Sequence, residues 1–194
     1  MLDLDKFYNK HIQEIQPYIP VDPTEELVKS SGVKSQDVIR LNANENPYGP
    51  VEGILNEIKT SDLSIYPDSL QRKLRSSLEN YTGMNFSELV AGAGSDELID
   101  LLFRSFVSVG DSIIDCEPTF GMYNFGARII GAKIESVPRN NTWDVDIVGI
   151  LSKVTPNTKM IFLASPNNPT GNLLNEKDLL EILKTRIIVV VDET

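Results

Sequence analysis

The sequence has 194 residues and a net charge of −10, because 28 aspartates and glutamates outnumber 18 lysines and arginines. This balance argues against a basic face for nucleic acid or for an anionic membrane. The single cysteine, Cys116, excludes an internal disulfide, and its place in an apolar run predicts a buried thiol. No apolar stretch approaches the ~20 residues that span a bilayer, and no signal peptide is recognisable, so a cytoplasmic protein is predicted.

The chain before residue 87 is rich in turn-forming residues. Residues 1–41 predict a loosely ordered arm, because prolines interrupt them at Pro17, Pro20 and Pro23. The segment 41–50, LNANENPYGP, predicts turns. Residues 71–81 carry apolar side chains at helical spacing and predict a helix that ends near Gly83.

From residue 87 onward, short apolar runs alternate with amphipathic stretches. The apolar runs predict strands over residues 88–91, 112–116, 133–137, 159–164 and 186–192. Helical spacing predicts helices over residues 95–107, 121–130, 146–153 and 175–184. Strands separated by helices imply parallel pairing and an α/β fold. The last strand is continuously apolar, which predicts that it is buried on both faces. Because the chain stops directly after it, the sheet is predicted to be truncated. The alternative is that this strand lies at the edge of the sheet.

The string AGAGSDE, residues 91–97, lies between a predicted strand and a predicted helix. Gly92 and Gly94 permit a tight turn and a close approach of a ligand to the backbone. Ser95 and Asp96 begin the helix, where free N–H groups and the positive dipole end attract an anion such as phosphate. The alternative is a glycine turn with an ordinary Ser or Asp cap. The third glycine of G-x-G-x-x-G is missing, so a dinucleotide-binding fold is not supported.

Two further candidate residues follow predicted strands. The loop SPNNPTG, residues 165–171, places Asn168 between two prolines at a strand's carboxyl end, where ligands bind in open α/β sheets. The Asn168 amide could donate a hydrogen bond to a phenolate oxygen. Phe120, after strand 112–116, could stack on a flat ring. A rigid turn and a core aromatic are the respective alternatives.

Asp192 ends the strand IIVVVD. A carboxylate there is costly unless backbone N–H groups or a positive group, such as a protonated pyridine nitrogen, meet it. A Walker B strand of an ATPase is set aside, because no glycine is followed by the lysine that its phosphate-binding loop requires. The candidates follow successive strands of one sheet. Together they predict one ligand, a flat cationic heteroaromatic ring with an oxygen substituent and a phosphate.

In this order, the strings LNANENPYGP, YPD (66–68), AGAGSDELI, EPTFGMY, SPNNPTG and VVVDE resemble the fold-type-I aminotransferases, in particular their histidinol-phosphate branch. The resemblance runs over essentially the whole chain from about residue 17. It implies a three-layer αβα sandwich with a mostly parallel sheet. Residues 1–45 would be an N-terminal arm and small-domain segment, and residues 46–194 the incomplete N-terminal part of the large domain.

This resemblance implies pyridoxal phosphate as the cofactor. Gly94, Ser95 and Asp96 would bind its phosphate, and Phe120 would stack on the face of its ring. Asn168 would bind the ring hydroxyl, and Asp192 would bind the pyridine nitrogen. Tyr66 would reach the phosphate of the neighbouring subunit's cofactor, which implies a homodimer. Tyr18 and the backbone near Glu45 would lie at the substrate entrance. The reaction implied is amino transfer from glutamate to imidazole-acetol phosphate, which gives 2-oxoglutarate and histidinol phosphate in histidine biosynthesis.

The family's Schiff-base lysine has no match in this sequence and is expected beyond Thr194. The 194-residue chain is therefore expected to be inactive in transamination, and no metal site is predicted. Three alternatives stay open. The protein could be another fold-type-I enzyme, such as an aromatic aminotransferase or a threonine-phosphate decarboxylase. It could be a non-catalytic binding or assembly module, or a phosphate- or nucleotide-binding α/β protein.

Overall fold

The computed structural model describes residues 4–18, 22–41, 43–60, 62 and 64–194. Pro20 of the predicted arm and Asn42 of the predicted turn segment lie outside the described residues. The chain divides into two compact units, of which the first comprises Met1–Gln16 with Val90–Thr194 and the second Pro17–Leu89. The predicted division between arm and large domain at residues 45 and 46 stays a prediction.

Four strands form the sheet of the first unit: β1 (Ser112–Asp115), β2 (Lys133–Ser136), β3 (Thr158–Ala164) and β4 (Ile188–Asp192). Their order across the sheet is β2-β1-β3-β4, and each neighbouring pair is parallel. Parallel strands need crossover connections, and helices lie between successive strands here. The predicted parallel α/β sheet is confirmed, and the carboxyl ends of its strands share one edge.

Eight α-helices occur among the described residues: α1 (Lys10–Gln13), α2 (Thr24–Ser31), α3 (Ile54–Thr60), α4 (Arg72–Thr82), α5 (Ser95–Phe106), α6 (Met122–Ile130), α7 (Ile147–Lys153) and α8 (Glu176–Leu183). Short 3-10 helices cover Leu4–Phe7, Ser35–Asp37 and Phe86–Glu88. The five predicted helices correspond to α4–α8. None of the helices in the described ranges combines the length and the apolarity that crossing a bilayer requires.

The sheet lies between two layers of helices, because successive side chains of a strand point to opposite faces. On one face, Ile113 and Phe162 belong to the first core cluster, which includes Phe103 of α5. On the other face, Ile114 belongs to the second core cluster, which includes Ile182 of α8. The predicted three-layer αβα sandwich is confirmed.

Helices α7 and α8 begin at residues whose side chains accept from the first turn. Asp146 accepts from the Gly149 N–H at 3.0 Å, and Asn175 accepts from the Lys177 N–H at 2.9 Å. The first N–H groups of a helix have no carbonyl partner within it, so such a cap typically contributes ~1 kcal/mol. These caps fix where the two helices of the second face start.

The strand predicted over residues 88–91 is wrong. Phe86–Glu88 is a 3-10 helix, and the Glu88 carboxylate accepts from the backbone N–H of Asn85 at 3.2 Å. The Glu79 carboxylate accepts from the Phe86 N–H at 2.9 Å. Local side-chain bonds therefore hold this segment in a turn, and the apolar pair that follows is too short to override them. Val90 is 71 % exposed.

β4 is less buried in this chain than its continuous apolar run predicts. β4 lies at the edge of the described sheet, where it pairs with β3. Ile188 and Val191 are 37 % and 36 % exposed. β4 therefore has one paired neighbour among the described residues, and its burial on both faces stays a prediction.

The predicted arm is more regular than expected. Helix α2 begins after Pro23 and ends at Gly32, which adopts the left-handed conformation with φ 70°. Glycine is the usual residue at such a helix end, because a Cβ atom disfavours that conformation. The turns predicted over residues 41–50 are confirmed in their described part, where the Asn46 side chain accepts from the Tyr48 N–H at 3.0 Å.

Gly126, in the middle of α6, faces the ring of Phe103. A Cβ atom at Gly126 would lie 2.6 Å from Phe103 Cε2 and 2.8 Å from Cδ2. Phe103 is buried, so its ring moves aside only if the core repacks. We expect Gly126→Ala to lower the free energy of unfolding by ~1–3 kcal/mol, although alanine by itself favours a helix.

Chemical denaturation measures this difference, with Gly121→Ala as the matched control. A Cβ atom at Gly121 meets no atom within 4 Å, so the control is expected to change stability little. Equal stability of Gly126→Ala and the parent protein would show that the contact with Phe103 does not restrict this position.

Candidate functional site

The carboxyl ends of β1, β3 and β4 lie side by side at one edge of the sheet. Asp115 pairs in register with Phe162, and Ala164 pairs with Asp192. The backbone N–H of Ser165, the first residue after β3, donates to the carbonyl oxygen of Asp192 at 2.8 Å. The loop after β3 therefore leaves the sheet beside the last residue of β4.

Both carboxylate oxygens of Asp192 accept hydrogen bonds within this chain. Oδ1 accepts from the backbone N–H and the hydroxyl of Thr194, at 3.0 and 2.6 Å, and Oδ2 accepts from the Tyr123 hydroxyl at 2.6 Å. Burial alone raises the pKa of Asp192, but the bonds from Thr194 and Tyr123 outweigh burial and lower it. Asp192 is therefore negatively charged at neutral pH, and one of its three donors is a neighbouring backbone N–H group, as the alternative to a cationic partner expects.

Tyr123, on α6, donates the hydrogen bond to Asp192, and the sequence did not predict this contact. Its side chain is fully buried, stacked on Phe162 with ring centroids 4.8 Å apart and edge-on to Phe120 at 5.7 Å. Burial, followed by the hydrogen bond to Asp192, raises the pKa of Tyr123, so its hydroxyl stays protonated and donates. No local sequence pattern could have predicted this contact, because Tyr123 and Asp192 are 69 positions apart.

Phe120 lies after β1, two residues before α6 begins at Met122. It is half-buried and packs against the first core cluster. Part of the Phe120 side chain is therefore packed in the core, as the alternative of a core aromatic expects. The rest of the side chain is accessible to solvent, so stacking on a ligand ring stays a prediction.

The two asparagines in the loop 165–171 have opposite environments. Asn168 is exposed, and no side-chain hydrogen bond is formed by it within the described part of the chain. Asn167 is 2 % exposed, and its side chain takes part in four hydrogen bonds. Asn168 is thus the asparagine accessible to a ligand, whereas Asn167, which the sequence did not single out, holds the loop in place.

Helix α5 begins at Ser95, directly after Gly94, which adopts φ 92° and ψ 171°. L-residues rarely adopt this φ, so the position favours glycine. Gly94 occupies the cap position, so the helix is not capped by Ser or Asp, whereas the alternative of a plain glycine turn stays open. The Glu97 carboxylate reaches back and accepts from the Ala93 N–H. Ser95 and Asp96 supply the first N–H groups of the helix, as the prediction of an anion site requires.

Three predicted residues belong to the second unit. Tyr66 is 96 % exposed and Tyr18 is 50 % exposed. Glu45 forms an ion pair with Arg40, with Oε2 3.5 Å from Nη1. The roles predicted for these residues stay predictions. In the described ranges, no group of three or more His, Cys, Asp or Glu side chains is placed to hold a metal ion.

A buried carboxyl group, Asp115, lies at the end of β1. It is 1 % exposed, and its Oδ1 has no hydrogen-bond partner among the described residues. Burial, and then the negative charge of Glu117, raises the pKa of Asp115 to about 7, although the Cys116 N–H and the Arg139 guanidinium oppose this. Cys116 is buried as predicted, and burial raises the pKa of its thiol to about 12. Asp115 was not singled out from the sequence, because it lies within an apolar run.

Comparison with known families matches residues 36–194 to the aminotransferases of class I and II. The chain is 41 % identical over 191 residues to the chloroplastic histidinol-phosphate aminotransferase of Nicotiana plumbaginifolia, which covers 97 % of this chain and 46 % of that protein. It is 41 % identical over 189 residues to the histidinol-phosphate aminotransferase of Roseiflexus castenholzii, and the match covers 94 % of this chain and 51 % of that protein. The chain spans about half the length of the curated relatives it matches. A cytoplasmic location stays a prediction.

Solved structures share the fold. The chain is similar to histidinol-phosphate aminotransferase from Sinorhizobium meliloti in complex with pyridoxal-5'-phosphate, with a TM-score of 0.81 and 23 % identity over 96 % of this chain and 50 % of that one. It is also similar to alanine aminotransferase from Pyrococcus furiosus, with a TM-score of 0.72 and 28 % identity over 88 % of this chain and 47 % of that one. At 23 % identity the first likeness establishes the fold alone.

Proposed function

Because the chain belongs to the class I and II aminotransferase family, we propose that it binds pyridoxal phosphate and serves amino transfer from glutamate to imidazole-acetol phosphate. The products would be 2-oxoglutarate and histidinol phosphate, in histidine biosynthesis. The identity of 41 % with histidinol-phosphate aminotransferases, over nearly the whole of this chain, supports this branch of the family.

The observation that carries the proposal is the charged carboxylate of Asp192 at the end of β4. Its pKa is lowered by Thr194 and Tyr123 against the effect of burial, so it is ionised at neutral pH. A carboxylate in this state fits a protonated pyridine nitrogen, which is the cationic part of pyridoxal phosphate. When bound, pyridoxal phosphate supplies an electron sink for the bonds at the substrate's amino-bearing carbon. Asp192 would hold the proton on the ring nitrogen.

The loops beside Asp192 offer partners for the rest of the ring. Asn168 is exposed in the loop that leaves the sheet next to Asp192, so its amide would donate to the ring hydroxyl oxygen. Phe120 would pack its accessible face against the ring. Tyr123 would keep the Asp192 carboxylate oriented, because it donates to Oδ2 and is itself locked by burial and stacking.

The start of α5 would hold the phosphate. Ser95 and Asp96 present the first N–H groups of a 12-residue helix, whose positive dipole end favours an anion. A Cβ atom at Gly94 would meet no atom within 4 Å, so the space beside this turn is open. We therefore assign the phosphate to the backbone of Gly94, Ser95 and Asp96.

Three more residues are proposed for the cofactor of a neighbouring subunit and for the substrate. Tyr66 is nearly fully exposed, which suits a residue that reaches the cofactor phosphate of a neighbouring subunit in a homodimer. Tyr18 and the backbone near Glu45 would lie at the substrate entrance. No lysine of this sequence matches the family's Schiff-base lysine. We therefore propose that this lysine lies beyond Thr194 and that the 194 residues alone do not turn over substrate.

Turnover by the native protein tests the proposed reaction. The protein is loaded with pyridoxal phosphate and given histidinol phosphate with 2-oxoglutarate, and glutamate formation is measured. We expect kcat/KM for histidinol phosphate to exceed that for phenylalanine roughly tenfold or more, because a site built for a phosphate leaves polar groups unpaired with an aromatic amino acid. The isolated 194-residue chain serves as the inactive comparison.

Efficient turnover of phenylalanine, with none of histidinol phosphate, would move the protein to the aromatic branch. Release of carbon dioxide from threonine phosphate would indicate the decarboxylase. Normal turnover by the isolated chain would contradict the assignment of the lysine.

A further inference from the structure

Asn167 is the most fully hydrogen-bonded side chain at the carboxyl edge of the sheet. Its Nδ2 donates to the Pro118 carbonyl oxygen at 3.0 Å and to Thr170 Oγ1 at 2.8 Å. Its Oδ1 accepts from Thr119 Oγ1 and from Arg139 Nη2, both at 2.8 Å. A carboxamide has two donor hydrogens and two acceptor lone pairs, so the hydrogen-bonding capacity of this one is fully used.

The backbone of Asn167 is fixed as well. Its N–H donates to the Asn172 carbonyl oxygen at 2.8 Å, and its carbonyl oxygen accepts from the Gly171 N–H at 2.7 Å. These bonds close the loop 165–171 on itself. The residue that follows, Asn168, forms no side-chain hydrogen bond within the described ranges, so its direction is set by the backbone that Asn167 holds.

Arg139, after β2, ties three segments together. Its Nε donates to the Cys116 carbonyl oxygen at 3.0 Å, its Nη1 to the Trp143 carbonyl oxygen at 3.0 Å, and its Nη2 to Asn167. Its backbone N–H donates to the Glu117 carbonyl oxygen at 2.8 Å. The rigid guanidinium therefore links the segments that follow β1, β2 and β3 in a fixed geometry.

We infer that Asn167, Arg139 and Thr119 form a clamp that sets the positions of Asn168 and Phe120 against the ring of pyridoxal phosphate. This inference rests on the proposed function. Asn168 follows Asn167 directly, and Phe120 follows Thr119 directly. The bond between Thr119 and Asn167 thus fixes the distance between the two segments that would meet the ring at its hydroxyl and at its face.

A clamp of this kind acts through other residues, so Asn167, Arg139 and Thr119 are positioning residues. Binding sites lose affinity when the groups that meet the ligand shift by about 1 Å, even if each group is still present. A purely structural role would predict a different pattern. Loss of the clamp would then lower the stability of the protein and leave the environment of the bound ring unchanged.

The test compares Asn167→Ala and Thr119→Val, each made in the native protein, with the unsubstituted native protein as the parent. Thr119→Val keeps the shape of the side chain and removes only its hydrogen bond to Asn167. This variant therefore still tests the clamp if Asn167→Ala fails to fold. Asn175→Ala is the matched control, because it removes the α8 cap and lowers stability without touching the clamp. Each variant is titrated with pyridoxal phosphate, and its dissociation constant, its visible absorption band and its Tm are recorded.

We expect Asn167→Ala to weaken pyridoxal phosphate binding roughly tenfold or more and to shift the visible absorption band, because the band reports the ionisation of the ring hydroxyl that Asn168 would meet. Thr119→Val is expected to move both readouts in the same direction by less. Asn175→Ala is expected to lower Tm and to leave the dissociation constant and the band at the parent's values.

Two results overturn the clamp while leaving the proposed function intact. The first is binding and absorption at the parent's values in both clamp variants. The second is an equal change in Asn175→Ala, which would assign the effect to stability alone. A parent protein that binds no pyridoxal phosphate overturns the proposed function, and the clamp falls with it.

Discussion

Asp192→Asn is expected to weaken pyridoxal phosphate binding by the native protein ~10- to 100-fold, since a hydrogen bond to a charged group contributes ~1.5–3 kcal/mol. Asp192→Asn keeps the size of the side chain but removes the negative charge that would face the pyridine nitrogen. An absorbance titration with pyridoxal phosphate at neutral pH measures the change.

The neighbouring carboxylate gives the matched control. Glu193 is exposed and stands next to Asp192 in the sequence, so Glu193→Gln removes the same charge from the same end of β4. We expect the control to bind like the parent protein. Equal weakening in both variants would mean that the general charge of this edge, and not a contact with Asp192, determines affinity.

The free energy of unfolding of Asp115→Asn is expected to increase relative to that of the parent as pH rises. Burial and the charge of Glu117 raise the pKa of Asp115 to about 7 in the folded chain, from an unfolded value of 3.8. The folded state therefore holds a proton that the unfolded state releases between these two values. Stability from this group is complete below pH 3.8 and is lost as pH rises through about 7.

Asparagine does not titrate, so it removes this dependence. The free energy of unfolding of Asp115→Asn minus that of the parent is expected to grow by ~3 kcal/mol between about pH 5 and pH 8. Denaturant titrations at several pH values measure it. Asp22→Asn, at an exposed position, is the control for removal of a carboxylate. A constant difference across this range would show that Asp115 titrates in the folded chain as it does in the unfolded one.

Much of the fold could be predicted from the sequence, because periodicity and turn residues report local structure directly. The runs that became β1, β3 and β4 are apolar over most of their length, and the stripes of α5 and α8 have clear helical spacing. The strand predicted over residues 88–91 fails for a reason that composition does not reveal. There, Glu79 and Glu88 supply hydrogen bonds to the backbone, and these outweigh a short apolar run.

The site was predictable where residues follow strands in sequence, as Asn168 and Asp192 do. It was not predictable where contacts join distant segments. Tyr123 meets Asp192 from 69 positions away, and Arg139 meets Asn167 from 28 positions away. Such pairs depend on how the layers pack, and no local pattern encodes that. Asn167 was passed over because the two asparagines of the loop look equivalent in sequence, whereas burial separates them.

The proposed function requires one ring to lie at the carboxyl edge of this sheet, with its nitrogen at Asp192 and its hydroxyl at Asn168. A crystal structure of the native protein with pyridoxal phosphate measures this directly. We predict a distance of ~2.7–3.2 Å between the pyridine nitrogen and a carboxylate oxygen of Asp192. A ring bound at another edge of the protein, or bound with its nitrogen facing away from Asp192, would contradict this placement.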